Sequence, residues 1–265
     1  MSTSNPPVAE AGAPQDAGAP LLALRGVTKR FGPVQALNSV DLEISPGKVT
    51  ALIGDNGAGK SSLIKTVSGL WAPDAGEILW EGSPVHLHGP KDAEALGITT
   101  IYQDLALCDN LDIVQNMFLG HEPTGRGMLD ESAMEIKARE TLTDLSVTTV
   151  RSIRQPVASL SGGQRQSVAV AKAVMSNAQL VIMDEPTAAL GVAQTSMVLN
   201  LIKTLSSRGV AVLVVSHNLV DVFEVADRIA VLYLGQLAVS GPASDFDRQS
   251  AVEYMTTGGA GQAAA

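Results

Sequence analysis

Short apolar runs alternate with amphipathic segments along most of the chain. The runs at Val49–Ile53, Leu180–Met183 and Val210–Val215 have the length and composition of strands buried on both faces of a parallel sheet. The segments Ser61–Gly69 and Val192–Ser207 suit helices instead. Because such strands alternate with helices, the pattern predicts an α/β fold with a parallel core sheet and helices on both of its faces.

A second pattern occupies the part of the chain around the first buried run. Apolar and polar residues alternate at Leu21–Phe31 and again at Ala36–Ile44, and Pro46-Gly47 forms a turn before the buried run begins. A further short strand is predicted at Gly76–Gly82. These segments predict an N-terminal antiparallel β subdomain beside the parallel sheet.

Residues 105–175 are predicted to be mainly helical. Helical patterns at Leu111–Leu119 and Asp130–Leu145 are separated by Gly125-Arg126-Gly127, and a third helix is predicted at Gly162–Ser176. We interpret these residues as a helical subdomain inserted into the α/β fold.

Composition bears on the ends of the chain and on its partners. The chain has 265 residues, of which 45% are hydrophobic, and a net charge of -9, so it can bury a core but suits non-specific nucleic-acid binding poorly. We expect no nucleic-acid partner. Residues 1–20 contain no basic residue and are rich in small residues, which predicts a disordered tail rather than a secretory signal. Residues 242–265 are interpreted as a C-terminal helix and a flexible tail, with Thr256–Ala265 assigned to the tail.

The first candidate site is the loop Gly54-Asp55-Asn56-Gly57-Ala58-Gly59-Lys60-Ser61-Ser62, which matches G-x-x-x-x-G-K-[ST]. Its glycines allow backbone N–H groups to converge on an anion at a helix N-terminus. Lys60 is expected to place its ammonium on the β- and γ-phosphates, and the Ser61 hydroxyl is expected to ligate Mg²⁺. A strand before the loop and a helix after it supply the context of a phosphate-binding loop.

Two carboxylates follow another buried strand. Asp184 and Glu185 come directly after Leu180–Met183, at the strand end where ligands gather in open α/β sheets. Asp184 is expected to hold Mg²⁺ directly or through water, and Glu185 to polarise the attacking water. Two solvated acids at a strand end are the alternative interpretation, but the phosphate loop in the same chain favours the catalytic one.

A second glycine-rich helix start occurs at Leu160-Ser161-Gly162-Gly163-Gln164. A hydroxyl, an amide and two glycines at a helix N-terminus form a second candidate anion site. One chain therefore carries two such sites, in addition to the strand that ends in two acids.

In this order, the three motifs resemble those of the nucleotide-binding subunit of ATP-binding cassette (ABC) transporters. The resemblance extends from about Leu22 to Gly241. It implies a P-loop NTPase fold, an ABC ATP-binding domain at residues 21–241 with its helical subdomain at 105–175, and hydrolysis of ATP with Mg²⁺.

The resemblance also assigns roles to single residues. Gln103 matches the family's glutamine that touches Mg²⁺ or the attacking water, and it would relay motion to a membrane partner. His217 matches the switch histidine, which would hydrogen-bond the γ-phosphate and hold Glu185. Phe31 matches the aromatic residue that stacks on adenine.

The resemblance implies an assembly as well. Two chains would pair head to tail, with each ATP between the phosphate loop of one chain and Ser161, Gly162, Gly163 and Gln164 of the other. The expected partners are transmembrane permease subunits and a solute-binding protein, and the expected location is peripheral, on the cytoplasmic face of the inner or plasma membrane.

One position departs from the family pattern. Gly191 stands where the family usually has an acid, which puts tight coupling between the two sites in doubt. The stretches Thr187–Gly191, Gln103–Leu107 and Asn116–Gly120 resemble the ATPases of monosaccharide importers, of the single-cassette, fructose-type kind. The function predicted is therefore ATP hydrolysis coupled to uptake of a small solute, a monosaccharide.

Two alternatives remain open. The first is a non-transport soluble ABC ATPase of DNA repair or translation, and the acidic composition and single cassette argue against it. The second is a nucleotide-gated regulatory protein with little hydrolysis, against which intact Glu185 and His217 argue.

Overall fold

A six-stranded sheet and a four-stranded sheet carry the fold in this computed structural model, which describes residues 19–125, 127–147 and 149–259. The strands are β1 (Leu22–Phe31), β2 (Val34–Ile44), β3 (Val49–Ile53), β4 (Ala75–Trp80), β5 (Ser83–Val85), β6 (Ile98–Ile101), β7 (Thr124–Gly125), β8 (Met128–Leu129), β9 (Leu180–Asp184), β10 (Ala211–Val215), β11 (Arg228–Tyr233) and β12 (Gln236–Pro242). The α-helices are α1 (Lys60–Val67), α2 (Pro90–Ala95), α3 (Ile113–Phe118), α4 (Glu131–Asp144), α5 (Gly162–Met175), α6 (Val192–Ser207), α7 (Leu219–Val225) and α8 (Arg248–Thr257).

The larger sheet has the strand order β12-β11-β3-β10-β9-β6. Neighbouring strands from β11 to β6 run parallel, and β12 pairs antiparallel with β11. In this register Val215 of β10 lies between Leu52 of β3 and Asp184 of β9. Because parallel strands end at the same edge, the loops after β3, β9 and β10 meet there.

The smaller sheet is antiparallel, with the order β2-β1-β4-β5. Its inward residues Leu22, Leu24 and Val27 belong to the same buried cluster as Leu63 and Ile64 of α1. The alternation of apolar residues along β1 therefore reflects packing against the helix that follows the phosphate loop. This sheet is the antiparallel subdomain expected from the sequence.

The helices α3, α4 and α5 share a second cluster with β9 and β10. Arg154 links this region through ion pairs to Asp112 before α3, at 3.1 Å, and to Glu131 of α4, at 2.8 Å. Hydrogen bonds to Glu135 first, and then to Asp112 and Glu131, stabilise the guanidinium and raise the pKa of Arg154 above its ordinary value. A charged centre thus joins the helices of the region that the sequence indicates as helical.

Within residues 19–125, 127–147 and 149–259, no helix combines the length and the hydropathy needed to cross a membrane. The predicted tail from Thr256 is wrong at its start, because α8 continues to Thr257. The Asp247 side chain caps that helix, and Gly258 ends it in a left-handed conformation with φ 66°. The sequence also missed the short strands β5, β7 and β8. Of the tails predicted at residues 1–20 and 256–265, residues 1–18 and 260–265 lie outside the described residues.

Candidate nucleotide-binding and hydrolysis site

The loop between β3 and α1 curves tightly against its neighbours. Gly59 has φ 104°, and a Cβ atom there would lie 2.6 Å from the Ala36 carbonyl oxygen. A Cβ atom at Gly54 would lie 2.4 Å from the Leu232 carbonyl oxygen. Both positions require glycine because the main chain of another segment of the protein occupies the space that a side chain would fill. The spacing of glycines in the motif therefore follows from close backbone approach.

Lys60 fixes the shape of this loop. Its ammonium is buried and donates to the carbonyl oxygens of Gly54, at 2.6 Å, and Asp55, at 3.1 Å. A cavity of 520 Å³ opens beside the loop, and its lining includes Ser61, Ser62 and Val34. A buried cation, main-chain N–H groups at a helix start and an adjacent cavity suit a polyphosphate.

Asp184 lies at the end of β9, which is separated from β3 by the single strand β10. Burial raises the pKa of the Asp184 carboxyl, and the neighbouring Glu185 carboxylate raises it further, while Lys60 and Lys65 oppose the shift. Because burial and the Glu185 charge disfavour its ionised form, this half-buried carboxylate would be stabilised by a bound cation. Together with the Ser61 hydroxyl, which lines the cavity beside the phosphate loop, these residues supply oxygen ligands of the kind that Mg²⁺ prefers.

Gln103 reaches the same edge from β6. The strand ends at Ile101, which pairs with Met183 directly before Asp184. Gln103 follows two residues later and is exposed. The fold therefore brings Gln103 to the edge of the sheet at which Asp184 lies.

The most specific contact of the site joins Glu185 to His217. Nδ1 of His217 lies 2.7 Å from Oε1 of Glu185, although 32 residues separate them along the chain. Glu185 also donates its main-chain N–H to the Val215 carbonyl oxygen at 2.8 Å. Its φ of 49° is uncommon for a residue with a side chain and is the kind of strain found at functional sites. The carboxylate is thus held in one direction by both its backbone and the imidazole.

The segment Ser161–Gln164, called here the signature segment, starts helix α5. The Gln164 side chain accepts from the Ser161 N–H at 2.9 Å and donates to the Thr149 carbonyl oxygen at 2.6 Å. None of the four residues lines the cavity beside the phosphate loop. The chain therefore holds two separate candidate anion sites.

The two glycines of the signature segment allow close packing on the start of α6. A Cβ atom at Gly162 would lie 2.7 Å from Leu190 Cδ2, and one at Gly163 would lie 3.0 Å from Gln194 Cβ. The motif itself does not indicate which residues pack against its glycines, so Leu190 and Gln194 were not predicted as their neighbours. Gly191 lies at the N-cap of α6, and an added Cβ atom would meet nothing within 4 Å.

Phe31 lies at the end of β1, where it pairs with Val34 across the β1–β2 turn. Val34 lines the cavity, and Phe31 is 39% exposed. The Phe31 ring packs edge-on against Trp71, with ring centroids 4.6 Å apart. Trp71 is a further residue that the sequence did not indicate.

A sequence profile described as ABC transporter matches residues 37–188. The chain belongs to the ABC transporter family. The fructose import ATP-binding protein FrcA of Rhizobium meliloti is 49% identical, with 89% of this chain and 94% of that protein aligned. A xylose/arabinose import ATP-binding protein of Sulfolobus acidocaldarius is 45% identical over the same shares.

Among solved structures, the chain is similar to the dimeric post-hydrolysis state of an ATP-binding cassette bound to ADP and phosphate. The identity is 26%, the TM-score is 0.71, and the match covers 84% of this chain and 98% of that one. The predicted ABC cassette fold and the predicted ATPase activity are confirmed. The roles of the individual site residues stay predictions.

Proposed function

We propose that this ABC ATPase powers the uptake of a monosaccharide into the cell. It would act as a peripheral subunit attached to the cytoplasmic face of the inner or plasma membrane. The observation that carries the hydrolytic part is the 2.7 Å contact between His217 and Glu185 at the edge of the sheet that holds the phosphate loop. The names of the two relatives, which concern import of fructose and of xylose or arabinose, support the sugar class.

The binding step is assigned to the phosphate loop. The Lys60 ammonium would exchange its two carbonyl partners for phosphate oxygens, which are stronger acceptors because they carry charge. Ser61, Asp184 and Gln103 would hold Mg²⁺, which neutralises phosphate charge when bound. Gly54 to Ser62 would enclose the triphosphate with main-chain N–H groups.

The hydrolytic step is assigned to Glu185 and His217. The Glu185 carboxylate would accept a hydrogen bond from a water and orient it toward the γ-phosphorus, a role that typically contributes 10²–10⁴-fold. His217 holds that carboxylate and has 66% of its side chain exposed. Its other ring nitrogen is therefore open to the γ-phosphate. Both groups would act on the same phosphoryl group from one edge of the sheet.

The signature segment is proposed to act on the ATP of a second copy. It lies outside the cavity beside the phosphate loop of its own chain, yet it has the N–H groups and hydroxyl of an anion site. A two-fold dimer would place each signature segment on the partner's nucleotide. Closure by ATP and opening after hydrolysis would then give the two states that transport requires.

The remaining partners are proposed to be permease subunits and a solute-binding protein. We would extract the tagged chain from its native membranes in mild detergent, identify what co-purifies, and measure phosphate release. Recovery of a polytopic membrane protein with ATP-dependent phosphate release supports the proposal. A chain found with DNA or ribosomes supports a soluble ATPase instead, and binding of ATP without phosphate release supports a regulatory protein.

Lys60→Ala is the control for both measurements. The substitution removes the point charge expected on the β- and γ-phosphates, so ATP binding or turnover should be lost while the permease still co-purifies. Wild-type phosphate release by this variant would mean that the activity comes from a contaminant.

A further inference from the structure

Two exposed apolar side chains line the cavity beside the phosphate loop, and a third lies next to one of them. Val34 and Leu234 line that cavity and are 61% and 70% exposed, and Phe31 is the β1–β2 pairing partner of Val34. A cavity that combines an anion site with apolar side chains suits a ligand that has both a charged and an apolar part. A nucleoside triphosphate has that polarity, because its base is flat and apolar on both faces.

Trp71 connects the Phe31 ring to the helix that binds phosphate. Its indole packs edge-on against Phe31 at an interplanar angle of 65°. Its main-chain N–H donates to the Lys65 carbonyl oxygen at 3.0 Å, and the Lys65 ammonium lies 4.7 Å from the centre of the indole. Lys65 belongs to α1, which begins at Lys60. Trp71 therefore links the Phe31 ring to the helix that follows the phosphate loop, while the Lys29 ammonium lies 5.7 Å from the centre of the same ring.

The loop after Trp71 holds the strand end that carries Phe31. Lys29 donates to the Ala72 carbonyl oxygen at 2.7 Å and to Asp74 Oδ1 at 3.0 Å. Asp74 Oδ2 accepts from the Arg30 main-chain N–H at 2.6 Å. The hydrogen bonds from Arg30 and Lys29 lower the pKa of the Asp74 carboxyl, so it stays charged at neutral pH. The tip of β1 and the Trp71 loop are thus connected by three hydrogen bonds.

We propose that Trp71 is a positioning residue for the nucleobase: it fixes the Phe31 ring at a set distance from the phosphate loop, so that the ring can stack on the base. The inference rests on the proposed function, since it takes Phe31 as the stacking residue. Stacking on Phe31 would orient the base end, while Lys60 and Ser61 hold the phosphate end.

The test compares two ligands that share the phosphate end only. Calorimetry would measure the Kd of MgATP and of Mg-tripolyphosphate, which lacks a base, for the full chain and its variants. Phe31→Ala should raise the Kd for ATP about tenfold, as expected when one base–aromatic stack is removed. Trp71→Leu should raise the Kd for ATP about threefold or more. Trp71→Phe keeps an aromatic ring against Phe31 and should retain most of the wild-type affinity. All three variants should bind tripolyphosphate within about twofold of wild type.

Leu70→Ala is the matched control, since Leu70 precedes Trp71 and is exposed; it should leave both Kd values unchanged. The double variant Phe31→Ala/Trp71→Leu should bind ATP no more weakly than Phe31→Ala alone, because Trp71 acts through Phe31. Additive losses would show that Trp71 acts by another route and would overturn the inference.

Two other results would also overturn the inference. One is wild-type ATP affinity in Trp71→Leu, and the other is equal weakening of both ligands, which would mean that the substitution disturbs the phosphate loop. The failure of the proposed function looks different: wild type would bind MgATP without releasing phosphate, or would be purified without a permease, and neither result alters the comparison of Kd values.

Discussion

The phosphate loop and the signature segment are both glycine-rich helix starts, but they are built for different neighbours. Gly59 packs on Ala36 within the same chain, beside a cavity that Lys60 and Ser61 line. Gly162 and Gly163 pack on the start of α6, and their N–H groups have no part in that cavity. One motif therefore borders a cavity of its own chain, whereas the other lies outside that cavity, as its proposed action on the nucleotide of a second copy requires.

The largest effect is expected from a substitution that removes hydrolysis but leaves ATP binding at the phosphate loop intact. Glu185→Gln should bind ATP normally and lower kcat about 10²–10⁴-fold, because the amide cannot polarise water as the carboxylate does. Single-turnover phosphate release and equilibrium ATP binding would separate the two effects. Asp245→Asn, a change at an acid of the 3₁₀ turn after β12, is the control and should keep the wild-type rate. Wild-type turnover in Glu185→Gln would remove Glu185 from the mechanism.

The next prediction tests whether the signature segment serves another copy. Lys60→Ala and Ser161→Leu should each be inactive as pure proteins, the first without its phosphate ligand and the second without the hydroxyl of its anion site. An equal mixture should regain about a quarter of wild-type ATPase activity, since half of the dimers are mixed and each has one intact site. A mixture as inactive as its components would place both motifs on the same nucleotide.

These tests also separate what the sequence could and could not predict. Motif spacing predicted the phosphate loop, Asp184 and Glu185, because a loop and its flanking strand are contiguous and their chemistry is local. The contact between Phe31 and Trp71 spans 40 residues and depends on the register of β1 with β4. Neither the Trp71 contact nor the packing of Gly163 on Gln194 has a local signal, so sequence reasoning missed both.

The C-terminal helix gives the same lesson at a boundary. Thr256 and Thr257 have low helix propensity, so the sequence favoured a tail there. The Asp247 cap and the left-handed Gly258 define the actual ends. Capping at the two ends of the helix therefore outweighed the low helix propensity of Thr256 and Thr257.

A smaller effect is expected at Asp184, where function and stability oppose each other. Burial and Glu185 raise the pKa of its carboxyl, so the fold disfavours the charged form at neutral pH. Asp184→Asn should therefore raise Tm by about 2 °C at pH 7 while losing Mg²⁺-dependent turnover. The gain should shrink as the pH falls toward about 4, the ordinary pKa of an aspartate, because the carboxyl then takes up its proton in the unfolded state as well.

Thermal unfolding from pH 4 to pH 8 would measure this trend for both proteins. Asp109→Asn, at an exposed acid that pairs with Arg165 at 3.1 Å, is the control: its Tm should not rise above that of wild type as the pH increases, because the substitution removes a favourable charge. A Tm of Asp184→Asn that lies below wild type at pH 7 would contradict the expectation.

The smallest effect is expected at Gly191. An aspartate there meets open space and takes the N-cap position of α6, so it should raise Tm slightly, by about 1 °C, and leave basal turnover near wild type. The acid restores the usual residue of the family, and the ATP dependence of turnover should become steeper. Gly191→Asn gives the cap without the charge, and an equal change in steepness with both variants would exclude an electrostatic link between sites.

The two hydrogen bonds from Lys60 to the loop carbonyls have a consequence for the speed of the cycle. They preorganise the loop: the ring of main-chain N–H groups has its shape before any anion arrives. Little conformational entropy is then lost at each encounter with nucleotide. If Lys60 binds phosphate as proposed, its ammonium would return to the same carbonyls when the products leave, and the loop would not need to refold between turnovers.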